Sequence, residues 1–353
     1  MRINILLIIF FFPFNIFSQT GSAYQFLNLE SSPRSLAMGG SLISVFDNDI
    51  SLGLFVPSLI NENNDNDLAL NYVNYLSDIN LVSFQYSKKI KKFAAVLISM
   101  SSVDYGVFKQ TSSIGIEESE FSAKDQVFTV GLGKNINEKI TFGLSLNLLN
   151  SRYENYQSSA FTSNISTTFF NSQGNFTATF LAKNIGSKIS SYTRVDEEIP
   201  FELQFGISKL LKHLPFRYSL VFNNLQKYDI SNDYSLLTQT DPETGLLLQK
   251  EEAFAKKILR HFILGGELSL FKQVFVLRGG LNFQKRFNLS LPSFSTSNGF
   301  SFGVGLNLSK FSFNFSRSSF HVSGNFNSFN IISSIFFFSW FSINKHYTRS
   351  NRV

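Results

Sequence analysis

Side chains able to do acid–base or nucleophilic chemistry are sparse in this sequence. Four histidines are present: His213, His261, His321 and His346. A serine hydrolase needs a hydroxyl, an imidazole and an orienting polar group within hydrogen-bond reach. His321 lies near Ser318, Ser319 and Ser323, but serine is abundant throughout, so that proximity selects nothing. The absence of cysteine removes disulfide frameworks, thiolate metal sites and thiolate nucleophiles. No His or carboxylate spacing matches a zinc or calcium motif. Gly131, Gly133, Gly303 and Gly305 sit in strand-like segments with no following helix to cradle a phosphate. Nucleic-acid binding has no module to rest on. Asn164-Ile-Ser166 and Asn175-Phe-Thr177 fit a glycosylation acceptor pattern but fall within strand-like segments, where the match reads as accidental. The expectation is a non-enzyme without catalytic, cofactor-binding or metal-ligating residues.

The stronger signal is periodic. From Thr141, the residues Phe142, Leu144, Leu146 and Leu148 share one parity, and Thr141, Gly143, Ser145 and Asn147 the other. Strand side chains alternate between faces, so such a segment has one apolar and one polar face. The pattern recurs. Val82, Phe84 and Tyr86 oppose Ser83 and Gln85; Phe216, Tyr218, Leu220 and Phe222 oppose Arg217, Ser219 and Asn223. Phe302, Val304, Leu306 and Leu308 oppose Gly303, Gly305, Asn307 and Ser309. A soluble sandwich would bury the apolar face under a second sheet, whereas a membrane barrel turns it toward lipid.

Composition suits the barrel. Charged residues make up 16% of the 353, against about 25% in soluble domains. Phe alone numbers 42, more than Lys and Arg together at 31. The net charge of +6 points weakly to an anionic neighbour such as lipid or lipopolysaccharide phosphate. At the N-terminus, Arg2 precedes an apolar stretch from Ile3 to Phe17, followed by Ser18 and Gln19. This reads as an export signal over 1–19. The stretch is shorter than the ~20 apolar residues of a spanning helix, and so is the later run from Ile331 to Phe341.

Fourteen strands are expected, at about 68–75, 79–87, 92–100, 125–133, 139–150, 161–170, 175–184, 201–209, 215–225, 260–270, 274–284, 299–308, 311–317 and 328–338. The links between them alternate in length. Those after even-numbered strands are short, and those at 101–124, 151–160, 185–200, 226–259, 285–298 and 318–327 are long. The link at 76–78 is the exception. Outer-membrane barrels alternate in this way, with short turns in the periplasm and long loops outside. That puts both termini in the periplasm. Lysines such as Lys88, Lys134, Lys139, Lys209, Lys212, Lys272 and Lys310 gather at the short turns; acids such as Glu117, Glu198 and Asp229 gather in the long loops. A lysine rim facing inner-leaflet phosphate contributes at most ~1 kcal/mol per side chain.

Residues 20–64 differ in character. They contain Arg34-Ser-Leu-Ala-Met-Gly-Gly40, Asp47-Asn-Asp49 and Val56-Pro-Ser-Leu59. Adjacent glycines permit close backbone approach or positive φ, and Pro57 breaks regular structure. Such a segment either plugs the barrel lumen or forms a periplasmic arm. The barrel itself is expected over 65–340, with a tail at 341–353.

The stretch Arg34–Ile60 resembles the N-terminal signature of the FadL-like barrels of Bacteroidota, although Val56 stands where that signature has Asn. Leu68–Asn80, Leu181–Tyr192, Pro200–Ile230 and Gly299–Ile331 resemble the PorQ family within that group. The resemblance implies a fourteen-stranded all-β transmembrane antiparallel barrel of the cell outer membrane. It also implies a non-catalytic role in the type IX secretion system, holding PorZ beside PorU and PorV in the surface complex that joins secreted cargo to anionic lipopolysaccharide. The architecture alone suggests the alternative of a FadL-like transporter of hydrophobic compounds.

Overall fold

The computed structural model describes residues 24–90, 94–111, 117–173, 175–192, 198–231, 237–240, 247–249, 253–289, 297–321 and 324–334. The expected export signal at 1–19 and tail at 341–353 lie outside them. Where side chains alternate, the backbone runs extended, and the strands are β1 (Asp67–Asn74), β2 (Asn80–Ile90), β3 (Ala94–Thr111), β4 (Glu117–Asn135), β5 (Ile140–Tyr153), β6 (Tyr156–Asn171), β7 (Phe176–Ser190), β8 (Glu202–Leu210) and β9 (Phe216–Phe222). After a small hairpin of β10 (Leu237–Thr240) and β11 (Leu247–Gln249) come β12 (Phe262–Leu270), β13 (Phe275–Asn282), β14 (Phe300–Asn307), β15 (Phe311–His321) and β16 (Gly324–Ser334). All but β10 and β11 form one closed antiparallel barrel of fourteen strands, sealed by β1 against β16 from Asp67↔Ser334 to Asn74↔Asn327. Closure removes the edges whose unpaired amides would be costly in lipid.

The register follows from the alternation, because a one-residue slip would exchange the faces. On β5, Leu146 and Leu148 are 44% and 53% exposed on the outside, while Ser145 and Asn147 are buried within. Val82, Phe84, Tyr218, Phe302 and Phe313 share the outer surface. The result is an apolar belt around the cylinder, the surface that a bilayer covers.

Three expectations about links need correction, and the link expected at 318–327 is one, since β15 and β16 run through it and pair to His321↔Gly324. The link expected at 151–160 is the two-residue turn Glu154–Asn155, since β5 and β6 stay paired to Tyr153↔Tyr156. The link expected at 101–124 is mostly strand, with β3 and β4 paired beyond a register shift near Gly106 through Lys109↔Glu120. Both extensions carry polar side chains on both faces, so they lack the alternation by which strands are read. Links 191–201, 223–261 and 283–299 are long as expected and lie at one end of the cylinder. They include α2 (Phe254–Leu259) and α3 (Phe283–Asn288).

Residues 24–64 occupy the lumen, not a periplasmic arm. The helix α1 (Pro33–Ala37) starts at Ser32, whose side chain accepts from Ser35 N, and Pro33 fits the first turn, where its missing N–H costs nothing. Gly39 and Gly40 follow with φ of +100° and +88°, and a Cβ on the facing Gly280 would collide with the Met38–Gly39 backbone. Across the lumen, Gly133 and Gly143 give way to Pro57, Ser58 and Ile60 in the same manner. Short 3-10 turns lie at Gln25–Asn28, Ile50–Leu54, Pro57–Leu59 and Glu62–Asn64, the second of them capped by Asp49.

Candidate functional site

The lumen holds the chemistry, and the plug organises it. Plug residues Tyr24, Phe26, Leu27 and Leu36 pack on the inward-facing Val73, Leu81, Val103 and Leu149. Met38, Leu42, Ile43 and Val56 pack on Leu181, Val221 and Ile263. The inner parity is therefore not wholly polar: apolar positions recur where the plug leans on the wall. Polar inward residues bind plug backbone instead. Ser301 Oγ donates to Ala37 O at 3.0 Å, Asn282 Nδ2 donates to Gly39 O at 3.1 Å, and Ser166 Oγ accepts from Ser58 N at 2.8 Å.

A charge cluster locks plug to wall. The Arg34 guanidinium grips Glu267 of β12 in two-point fashion, Nε to Oε2 at 2.9 Å and Nη2 to Oε1 at 3.0 Å. It also reaches Asp47 at 2.8 Å and Asp49 at 3.4 Å. Glu267 accepts from Arg278 of β13 at 2.8 Å and lies 3.5 Å from Arg217 of β9, which also meets Asp47 at 3.3 Å. Arg278 donates on to Asn314 Oδ1 at 2.6 Å. Three arginines and three carboxylates give no net charge, and paired two-point geometry is what makes buried arginine tolerable. A second inward acid, Asp125, accepts from Tyr105 Oη at 2.6 Å, from Tyr153 Oη at 3.0 Å and from Ser151 Oγ.

A cavity lies on each side of this lock. One, of about 1170 Å³, opens among the short turns and is lined by Arg34, Asp47, Arg217, Glu267 and His213. The other, of about 440 Å³, opens among the long loops, with Gly40–Ile43 of the plug as its floor and Lys183, Glu202, Asn223 and Lys285 in its walls. The two share no lining residue. A third, of about 40 Å³, lies between Phe26, Leu54, Phe55, Val103 and Asn164.

Three of the four histidines lie among the described residues. His213 is exposed in a short turn. His261 is buried, and its ring nitrogens meet Asn223 O at 2.8 Å and Tyr228 O at 3.2 Å, holding a long loop to β9. His321 ends β15, whose Ser318 Oγ donates to Leu36 O at 3.4 Å and Ser319 Oγ to Asn298 Oδ1 at 3.2 Å. Ser323 and His346 lie outside the described residues. Among the described residues, no group of three or more His, Asp or Glu is placed to hold a metal. Asn164 of the acceptor pattern is buried, its Oδ1 accepting from Asn184 N at 2.9 Å. Glu30 of the plug accepts from Ser32 N and Ser35 Oγ, and burial pushes its carboxyl above the ordinary range. The Arg34–Glu267 lock and the Asp125 group escape motif searches because their members are scattered. Their signal is a charge on the inward parity in mid-strand, visible at Arg217, Glu267 and Arg278.

No protein-family model and no curated protein matches the sequence. Solved structures match the fold. The CymD monoaromatic hydrocarbon channel is 12% identical, with a TM-score of 0.51 over 87% of this chain and 98% of that one. The P. putida toluene transporter TodX is 11% identical, with a TM-score of 0.48 over 86% and 96%. A Pseudomonas aeruginosa FadL homologue is 9% identical, with a TM-score of 0.45 over 86% and 98%. At such identity the CymD likeness speaks to architecture alone, and with the closed sheet and apolar belt it gives the chain's class: a fourteen-stranded antiparallel β-barrel of the outer-membrane kind.

Proposed function

We propose that this barrel is a plugged, non-catalytic scaffold of the outer membrane that presents its long loops to a protein partner at the cell surface. The observation that carries this reading is the plug, bonded to opposite walls of the lumen and locked at Arg34–Glu267. An interior so filled leaves the loops as the working surface, and loops held on a rigid frame are where function concentrates. The resemblance of Arg34–Ile60 and Pro200–Ile230 to the PorQ family supplies the partner: PorZ, and through it the PorU and PorV attachment complex that joins cargo to lipopolysaccharide. In this reading residues 1–19 direct export and both termini lie in the periplasm. Deletion of 231–250 should release PorZ from cells while the barrel stays folded and heat-modifiable in gels. PorZ remaining anchored would refute loop docking.

The second reading is a transporter of hydrophobic compounds. It draws on the fold shared with CymD, so the comparisons lean this way, and on the apolar side chains around the small cavity at Phe26, Leu54 and Phe55. Uptake of labelled toluene by cells expressing the chain, abolished when 24–64 is replaced, would favour it. Uptake equal to that of empty cells would leave the scaffold.

A further inference from the structure

The cavity at the short-turn end, of about 1170 Å³, exceeds the range of about 300–1,000 Å³ typical of small-molecule sites. Its mouth is framed by the turns between β8 and β9, β12 and β13, and β14 and β15. These turns supply Lys212, Lys272 and Lys310 and contain no acidic residue. Phe271 and Leu214 stand beside the lysines, 80% and 60% exposed. The turn that carries Phe271 is strained. Phe271, Lys272 and Gln273 have φ of +49°, +56° and +71°, a conformation costly for residues with a Cβ and usually left to Asn and Gly in hairpins. Strain of this kind is kept where a site uses it, and here it sets a ring and an ammonium at the cavity's edge.

Positive charge is in excess around this mouth. The lining holds six basic side chains, Arg34, Lys212, Arg217, Lys272, Arg278 and Lys310, against four carboxylates. Asp47, Asp49 and Glu267 are bound by the arginines, and Asp67 of β1 is the fourth. Lys212 and Lys272 are exposed and make no ion pair among the described residues. The Arg217 side chain is 20% exposed and bonds through Nη1 alone, which leaves Nε and Nη2 to donate to an incoming acceptor. Complementarity therefore calls for an anionic occupant with apolar side chains. The chain's own flanks do not provide one, since 1–23 and 335–353 contain no Asp or Glu and carry Arg2, Lys345, Arg349 and Arg352. The opening lies inside the closed ring of strands, so its occupant arrives from water and not from the bilayer.

We propose that this mouth docks a segment of another protein in which carboxylates are interspersed with aromatic or aliphatic side chains. The carboxylates meet Lys212, Lys272 and Arg217, and an apolar side chain meets Phe271 and Leu214. In the orientation proposed above the partner is periplasmic, but the docking does not depend on what the long loops hold. The test is selection of a random peptide library displayed on phage against the full chain in phosphatidylcholine nanodiscs, followed by titration of the synthetic consensus peptide. The expected consensus is rich in Asp or Glu together with Phe, Trp or Leu. Lys212→Glu and Lys272→Glu combined should weaken it roughly tenfold or more, since a hydrogen bond to a charged group accounts for such a factor. Phe271→Gly removes the ring and relieves the positive φ, so it should weaken the peptide while the denaturant midpoint holds or rises, which separates docking from folding. Lys139→Glu, exposed at the same end but outside the cavity, should leave binding unchanged. A neutral or basic consensus, no selected peptide, or binding indifferent to the double reversal or to Phe271→Gly overturns the proposal. Equal weakening by Lys139→Glu overturns it in favour of diffuse charge, and displacement of the peptide by phosphatidylglycerol added to the nanodiscs overturns it in favour of a lipid headgroup.

Discussion

Glu267 is the residue on which the interior turns, because Arg34, Arg278 and Arg217 all address its carboxylate. Glu267→Ala would leave Arg278 buried without its carboxylate and Arg34 with Asp47 and Asp49 alone, a change that costs about 3–5 kcal/mol when a buried pair loses one member. The expected outcome is a lower denaturant midpoint in detergent and a plug newly open to proteinase K. Gly143 tests the opposite wall, where any Cβ would run into the Pro57–Ser58 backbone. Gly143→Val should destabilise the fold by about 1–3 kcal/mol, the usual cost of overpacking, read in the same denaturant titration; an unchanged midpoint would mean that the plug stands off that wall. At this scale the sequence was partly legible. Gly39 and Gly40 announced the close approach and the positive φ that the structure realises. The partners of Arg34 were not legible, since Glu267 lies far along the chain and only barrel closure brings the two together.

At the level of elements, β5 is the plainest case of sequence dictating structure. Its outward Leu146 meets hydrocarbon if the apolar belt is the lipid-facing surface, so Leu146→Arg should cost about 2–4 kcal/mol in a bilayer. Ser145→Ala, on the buried side, removes a hydroxyl that makes no hydrogen bond and should change the unfolding free energy in vesicles little. Equal effects would place both faces in the same medium. The alternating segments were readable because lipid on one side and plug on the other demand opposite chemistry at successive residues. The ends of β3 and β4 were not, because above the belt water touches both faces and periodicity vanishes. The long loop between β9 and β12 is fastened by Asp229, whose carboxyl is held down at about 2 by Lys257 and then by Ser231. A depressed pKa adds stability that is present above the unfolded value and is lost as pH falls through the folded one. Hydrogen-exchange protection factors in residues 226–231 should thus hold at pH 5 and fall between about pH 4 and pH 2, and Asp229→Asn should remove that step.

For the molecule as a whole, the plug is both core and stopper. It supplies one side of each apolar cluster in the lumen and separates two cavities that share no wall residue. Removing 24–64 should join them, giving stepwise conductance in planar bilayers where the intact chain shows little, together with a lower unfolding temperature. Equal conductance of the two proteins would mean that a path already bypasses the plug. Strand number and closure were readable from the count of alternating segments, but the lumen's contents were not. An irregular N-terminal stretch with adjacent glycines and two prolines reads alike inside a barrel or beside it, and only the collision-free fit of Gly280 and Gly143 against it distinguishes the two. The pairing of β1 with β16 has a consequence for biogenesis. The seam joins the earliest-made ribbon to the last one described, and the plug is tethered just ahead of β1. If the hoop is drawn shut around a passenger already aboard, insertion of the sheet and packing of its contents should proceed as a single kinetic step when the chain refolds into vesicles.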